Sequence, residues 1–145
     1  MSIVHCKLSI EYRALSTAKG MIVNMPVRAV RGATTVKENT REDIIASTTE
    51  LLNEIVGRNE LLIDDIISVI FSSTADLDSA FPAAAAREMG WKYVPLMCTN
   101  EINVSGSLKK CIRVLMHINT DKKPENIKHV YLHGAKVLRP DLAGE

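Results

Sequence analysis

The chain has 145 residues, a common length for one domain and enough to bury a core without disulfide or metal staples. Its 18 lysines and arginines balance 17 aspartates and glutamates, so the net charge of +1 provides no broad positive field for nucleic acid or an anionic membrane. No apolar run approaches the roughly 18 residues that a membrane-spanning helix needs. We therefore expect a domain that binds neither nucleic acid nor a membrane.

The cysteine content indicates a reducing compartment. The chain contains three cysteines at wide spacing: Cys6, Cys98 and Cys111. An odd number of cysteines without a CxxC pair is typical neither of a disulfide framework nor of a zinc site. We therefore expect a cytoplasmic protein without a structural metal.

Residues 1–24 differ from the rest of the chain, because they show no clear period and lack the apolar core of a signal peptide. We expect an N-terminal extension that is either flexible or encoded upstream of the true start. One domain is expected to follow over residues 25–145.

The first predicted elements of this domain are a strand and a long helix. Residues 27–35 read as a strand that runs into a polar turn. Residues 38–59 carry apolar side chains at helical spacing, and Thr40 or the preceding asparagine can cap the start of a helix. Gly57 and Asn59 are the predicted stop signals of this helix.

Three shorter elements are predicted next. Residues 66–74 form an apolar, β-branched run that indicates a buried strand. Residues 75–91 are expected to begin as a loop and to continue as a short helix that ends at Gly90. Residues 92–98 read as a third strand, in which Pro95 indicates a sheet edge or a bulge.

The last two strands are predicted in the C-terminal part of the chain. Residues 99–110 form a polar connection with room for a helical turn. Residues 111–119 are mainly apolar, and we interpret them as a strand in which Arg113 lies on the face opposite Ile112. Residues 129–140 are expected to contain the final strand and its exit.

These elements predict an α+β domain with a five-stranded mixed sheet and two helices. Two helices cannot cover both faces of such a sheet, so one face would stay largely bare unless a second copy of the chain covers it. The pattern therefore predicts a homo-oligomer.

The sequence lacks the common motifs of nucleotide binding, zinc-dependent hydrolysis and serine hydrolysis. Cys98 and Cys111 could act as nucleophiles, but unactivated core cysteines are far commoner. The four histidines read as ordinary strand and surface residues: His5, His117, His129 and His133. No metal and no cofactor is therefore predicted.

Arginines at strand ends and in loops are the remaining candidates for chemistry. Together with an acid and a phenol, they are Arg31, Arg87, Arg113, Arg139, Glu101 and Tyr131. Arginine binds carboxylates through bidentate, charge-assisted hydrogen bonds. Without a nucleophile, a base or a metal, such a set suits a small dianion whose reaction depends on positioning and electrostatics. Arg113 is the strongest candidate, because its strand neighbours look buried.

Four motifs closely resemble the small monofunctional chorismate mutases of the Bacillus type, from about Met25 to Leu142. They are RGATTV (31–36), FPAAAAREMGWKYVPL (81–96), CTNEINVSGSLKKCIRVLMHINTD (98–121) and HVYL…VLRPDL (129–142). The motifs occur in the order and at the spacing of that family. The resemblance implies a pseudo α/β-barrel homotrimer with three clefts, one between each pair of subunits.

The resemblance also implies a reaction, the rearrangement of chorismate to prephenate on the way to phenylalanine and tyrosine. In this [3,3] shift one C–O bond breaks and one C–C bond forms within a single molecule. No proton transfer, covalent intermediate or cofactor is needed. Catalysis would come from restraint of the compact substrate conformation and from a cation at the ether oxygen.

Site residues are assigned through the same resemblance. Arg113 resembles the family arginine that donates to the ether oxygen and to a substrate carboxylate. Arg31 resembles the arginine that binds the enolpyruvyl carboxylate, with help from Tyr131. Glu101 resembles the carboxylate that accepts from the ring hydroxyl, near Cys98. The catalytic set implied is Arg113, Glu101 and Arg31.

Further residues resemble the walls of the family cleft. Phe81, Ala83 and Arg87 resemble a wall that the neighbouring subunit contributes. Leu138 and Arg139 resemble the segment that closes the site near the C-terminus.

Three positions depart from the family pattern. Ala84 stands where the best-known form has a lysine, which removes a cation at the cleft mouth. Leu96 and Met97 replace a smaller valine and a threonine, and we expect them to tighten the pocket.

Two alternative functions remain. A trimer similar to the enamine deaminases would also place an arginine in an interfacial cleft, but Glu101, Tyr131 and the four motifs oppose this reading. A sensor would bind chorismate or prephenate without turnover, and the presence of both Arg113 and Glu101 favours catalysis instead.

Overall fold

A computed structural model of the chain describes residues 25–143, and the extension predicted over residues 1–24 lies outside them. The strands are β1 (Val27–Thr35), β2 (Ile66–Ser73), β3 (Leu96–Asn100), β4 (Cys111–Asn119) and β5 (Val130–Tyr131). The two α-helices of this part are α1 (Arg41–Asn59) and α2 (Ala83–Glu88). Short 3-10 turns cover Ile63–Asp65, Pro124–Asn126 and His133–Leu138.

The strands form one sheet in the order β3-β2-β4-β1-β5. The central strand β4 runs antiparallel to both β1 and β2. The edge strands β3 and β5 run parallel to their neighbours β2 and β1. The predicted α+β class with a five-stranded mixed sheet is therefore confirmed.

The start and the end of α1 follow local capping chemistry. The Thr40 hydroxyl accepts a hydrogen bond from the Asp43 amide at 3.2 Å, as the sequence predicted for a capping residue. The helix ends at Asn59, and Glu60 then adopts the left-handed conformation with a φ of 55°. Of the two predicted stop signals, Asn59 is confirmed as the last helical residue, whereas Gly57 lies within the helix, because a glycine can adopt helical angles.

Both helices pack on one face of the sheet. Four β4 residues that point to this face are 3% exposed or less: Ile112, Val114, Met116 and Ile118. A Cβ atom at Gly32 of β1 would lie 2.7 Å from Cδ1 of Ile55, so the glycine lets α1 approach the sheet closely. Neither α-helix of the described part has the length and hydropathy of a membrane-spanning segment.

The opposite face of the sheet carries neither of the two α-helices that residues 25–143 contain. Arg31 and Arg113 lie on this face, as strand alternation predicted. The 3-10 turn His133–Leu138 covers one part of the face, where it packs on a small cluster that includes Ala33, Cys111, Tyr131 and Ala135. The rest of this face is only partly covered within one chain.

The third strand lies later in the chain than the prediction over 92–98. Pro95 has no amide to donate, and its carbonyl accepts from the Val69 amide at 3.0 Å just before β3 begins. β3 is an edge strand, as Pro95 indicated. Residues 101–110 form turns instead of the helical turn considered for them, and Gly106 takes a φ of 79° there.

The final strand lies within the predicted segment 129–140, but it contains only two residues of that segment. β5 ends at Tyr131, because His133 adopts a left-handed φ of 49° and turns the chain into the 3-10 segment. This turn brings the C-terminal part of the chain back across the helix-free face.

Candidate active site

A pocket of about 340 Å³ opens on the helix-free face of the sheet. Its walls come from β1, β2, β4 and β5, from the residue after β3, and from the end of the C-terminal 3-10 turn. Six of the predicted site residues line it: Arg31, Glu101, Arg113, Tyr131, Leu138 and Arg139. The fold therefore brings together residues from three of the four sequence motifs.

Sheet register positions Arg113 at the centre of the pocket. Arg113 lies opposite Ala33 on β1 and opposite Ser72 on β2. Both neighbours are small, so they leave room above the sheet for the guanidinium group and a ligand. The Glu101 amide donates to the Ser73 carbonyl at 2.9 Å, which places Glu101 beside the same strands.

Arg113 and Glu101 form a loose ion pair. Arg113 Nε lies 3.5 Å from Glu101 Oε1, and the side chains are 46% and 23% exposed. An exposed pair of this kind contributes at most about 1 kcal/mol to stability, so it orients the groups more than it holds the fold.

The strand neighbours of Arg113 are buried as predicted, but their side chains lie on the opposite face of β4. Ile112 and Val114 are buried against the helices, whereas the guanidinium points to the open face. Alternation along β4 therefore explains how an arginine fits within an apolar stretch.

A second group of charges surrounds Tyr131. The Arg31 amide donates to Nδ1 of His129 at 3.0 Å. Arg139 binds Asp141 through two hydrogen bonds, from Nε at 2.9 Å and from Nη2 at 2.7 Å. The hydrogen bond from Arg139 lowers the pKa of Asp141. Arg31, Arg113 and Arg139 stand against Glu101 and Asp141, so these charged groups sum to +1 and favour an anionic ligand.

The loop that follows Glu101 is anchored where it returns to β4. The Lys110 amide donates to Asp76 Oδ2 at 2.9 Å, and the Thr74 hydroxyl donates to Asp76 Oδ1. Burial acts to raise the pKa of Asp76, but the hydrogen bonds from Thr74, Lys110 and its own amide, together with the charge of Lys109, outweigh it and the pKa is lowered. Sequence reasoning missed Asp76, whose signal was its place in the polar stretch directly after β2.

The thiols are not part of the pocket. Cys98 was expected near the substrate, but its place in β3 puts its side chain on the helix side, where it packs against the main core. Cys111 is 1% exposed, and burial raises the pKa of its thiol although Arg113 acts in the opposite direction. A protonated, buried thiol is a poor nucleophile, in line with the prediction of unactivated cysteines.

The residues predicted for the neighbouring wall lie on the helix side of their own chain. Ala83, the first residue of α2, is buried, while Phe81 is 74% exposed and Arg87 is exposed. None of the three lines the pocket of its own chain. Their assignment to a neighbouring subunit's pocket therefore stays a prediction.

The two departures in β3 are not among the residues that line the pocket. Leu96 packs against the core, and Met97 is 59% exposed. Neither lines the pocket of this chain, and the expected tightening stays a prediction. The pocket is also lined by residues that the sequence did not single out: Ile70, Ser72 and Leu115.

The pocket can hold a small anion without a metal. Residues 25–143 contain no group of three or more histidine, cysteine, aspartate or glutamate side chains placed to bind a metal ion. The groups present can donate several hydrogen bonds to carboxylates and can accept one from a hydroxyl at Glu101. This arrangement fits a reaction that depends on positioning and charge.

Known proteins share both the sequence and the fold. Residues 27–142 match the family described as chorismate mutase type I. Chorismate mutase AroH of Bacillus subtilis is 48% identical over 120 residues, which cover 82% of this chain and 94% of that protein. Chorismate mutase AroH of Thermus thermophilus is 48% identical over 117 residues, which cover 80% of this chain and 96% of that protein.

A solved structure matches the fold described above. A chorismate mutase from Clostridium thermocellum superposes with a TM-score of 0.75 and 63% sequence identity, over 76% of this chain and 98% of the other. The resemblance drawn from the four motifs is thus confirmed. The chain belongs to the type I chorismate mutase family.

Proposed function

We propose that the chain converts chorismate to prephenate, the reaction of its family, in the pocket around Arg113. This location is supported by one observation: Arg31, Glu101 and Arg113 line the same cavity of about 340 Å³. A cavity of this size lies within the range of small-ligand sites, and its cationic lining matches a substrate with two carboxylates.

Substrate restraint is the first part of the proposed mechanism. Arg31 and Tyr131 bind the carboxylate of the enolpyruvyl side chain, while Glu101 accepts a hydrogen bond from the ring hydroxyl. Fixing both ends of the dianion holds its two reacting carbons together in the compact conformation. Positioning of this kind supplies up to about 7–11 kcal/mol in favourable systems.

Charge stabilisation at the ether oxygen is the second part. As the C–O bond lengthens, negative charge develops on this oxygen, and Arg113 donates to it while also binding a carboxylate. Arginine is not deprotonated in proteins, so it supplies this charge without a proton transfer. One preorganised donor is typically worth about 2.7–4 kcal/mol.

A homotrimer with shared clefts completes the proposal. Several large apolar side chains are exposed on the single chain: Phe81 (74%), Tyr93 (87%), Met97 (59%), Ile102 (84%) and Val104 (58%). Exposed apolar surface of this extent is typical of a protein interface. A neighbouring subunit that places Phe81 and Arg87 over the pocket would also exclude water from Arg113, which strengthens its electric field.

The proposal includes a reducing, cytoplasmic location and a role in the synthesis of phenylalanine and tyrosine. Cys98 and Cys111 are both free thiols, and they lie on opposite faces of the sheet. This arrangement suits a compartment in which disulfides do not form.

The purified protein, treated with EDTA and supplied with no cofactor, is expected to turn over chorismate well above the spontaneous rate. The measurement follows loss of chorismate absorbance and identifies prephenate by chromatography. Turnover only at the spontaneous rate would contradict catalysis, and calorimetric binding of chorismate without turnover would indicate a sensor. Release of ammonia from an imino acid, without prephenate formation, would instead support the enamine-deaminase alternative.

Shared clefts predict complementation between two weakened variants. Arg113→Lys and Arg87→Ala are each expected to be poorly active alone, because every cleft then lacks one native arginine. The two arginines of a cleft come from two different subunits. After subunit exchange in an equal mixture, about one quarter of the clefts would carry both native arginines and recover activity. Light scattering should give three times the monomer mass. A mixture no more active than its parents would contradict a cleft built from two subunits.

A further inference from the structure

We infer that His129 is a positioning residue that fixes Arg31 for substrate binding. The inference rests on the proposed function, because Arg31 is there the ligand of the side-chain carboxylate. His129 itself does not line the pocket, so it acts through the backbone of Arg31.

The imidazole extends the pairing between β1 and β5. This pairing contains only two residue pairs, Gly32 with Val130 and Ala33 with Tyr131. Directly before it, the Arg31 amide donates to Nδ1 of His129 at 3.0 Å. The histidine side chain thus takes the place of a backbone acceptor at the residue whose guanidinium enters the pocket.

The other end of this short pairing is closed by the backbone. The Leu132 amide donates to the Ala33 carbonyl at 2.9 Å. The edge strand that carries Tyr131 is therefore tied to β1 on both sides, once by the main chain and once by His129. Loss of the histidine bond would leave the Arg31 amide without this acceptor and would loosen β1 at the pocket.

The bond exists only when Nδ1 of His129 carries no proton, which places the single proton of the neutral ring on Nε2. Burial lowers the pKa of His129, and the nearby cations Arg31 on β1 and Arg139 after the 3-10 turn lower it further. The carboxylate near these cations is Asp141, which binds Arg139. The ring is therefore neutral at neutral pH, and the bond is lost as the pH falls through the lowered pKa.

Two substitutions separate a hydrogen-bond role from a packing role. His129→Asn keeps an acceptor oxygen close to the position of Nδ1 but cannot take up a proton in this pH range. His129→Ala removes the acceptor. At about pH 7.5 we expect KM of the alanine variant to be about fivefold to tenfold higher than the native KM, while its kcat changes less than about twofold. For the asparagine variant, we expect both KM and kcat to stay within about twofold of the native values.

The pH profile provides the second readout. As the pH falls from about 8 to the lowest pH at which both proteins stay folded, KM of the native protein should rise relative to KM of His129→Asn, because only the native side chain becomes protonated. Groups common to both proteins, including Glu101 and Asp141, cancel in this ratio. The inference would be overturned if the pH profiles of KM for the native protein and for His129→Asn ran parallel. It would also be overturned if KM of His129→Ala equalled the native KM. If His129→Ala does not fold, the asparagine profile alone decides.

A readout without activity separates this inference from the proposed function. The ¹⁵N chemical shifts of the His129 ring, assigned by their loss in His129→Asn, should show an unprotonated Nδ1 and a protonated Nε2 at neutral pH. The opposite tautomer would overturn the positioning role even in an active enzyme. A native protein that shows the expected tautomer but no turnover would instead contradict the proposed function.

Discussion

Arg113→Lys is expected to lower kcat by about 10²–10³-fold while the net charge of the protein stays the same. The three donors of a lysine all leave one nitrogen, so it lacks the planar fork that lets an arginine contact Glu101 through Nε and reach separate substrate acceptors through its other nitrogens. The remaining point charge is also strongly hydrated, which weakens its effect on the ether oxygen. KM should change less than kcat, because the lost interaction strengthens in the transition state.

The matched control for this variant is Arg58→Lys on α1. Arg58 is 39% exposed, pairs with Glu54 at 2.8 Å and lies outside the pocket. It should retain native kcat and KM, and both variants should retain the native melting temperature within a few degrees. A kcat close to that of the native enzyme in Arg113→Lys would contradict the role of the guanidinium fork.

Arg31→Ala is expected to lower kcat/KM by about 10²–10³-fold, because removing one member of a desolvated charge pair costs about 2–5 kcal/mol. In contrast to the Arg113 variant, most of this loss should appear in KM. The carboxylate that Arg31 binds stays ionised throughout the reaction, so its contact is similar in the ground state and in the transition state. Steady-state kinetics with chorismate measures both constants.

Arg28→Ala on the same strand is the control for Arg31→Ala. The Arg28 side chain donates to the Lys122 carbonyl at 3.3 Å and does not line the pocket. This variant loses the same kind of side chain, three residues away, and should keep kcat/KM within about threefold of the native value. Equal losses in the two variants would indicate a general effect on β1 instead of carboxylate binding at Arg31.

Strand alternation determined much of the site from sequence alone. The period of two placed Arg31 and Arg113 on a different face from Val30 and Ile112, and the structure has them there. Capping chemistry at Thr40 fixed the start of α1 in the same way. These features depend on residues close together in the chain, so their physical causes can be read locally.

Boundaries were less predictable where a single backbone conformation decides them. Glu60 and His133 both adopt left-handed angles, with φ values of 55° and 49°. Glutamate and histidine do not strongly predict a left-handed turn. Glycine does predict one, yet Gly57 lies within the helix. The end of α1 lies at Asn59, as the sequence predicted, whereas the shortness of β5 follows from the left-handed turn at His133.

Sequence by itself determined that this chain is an α+β domain whose arginines and Glu101 suit a dianion, because composition, period and motif order are properties of the chain. Only the tertiary structure decided which candidates share one pocket. It brought Glu101 and Arg139 to Arg113, turned Cys98 toward the helices and paired His129 with the Arg31 amide. These outcomes depend on strand order and register, which join residues far apart in the chain.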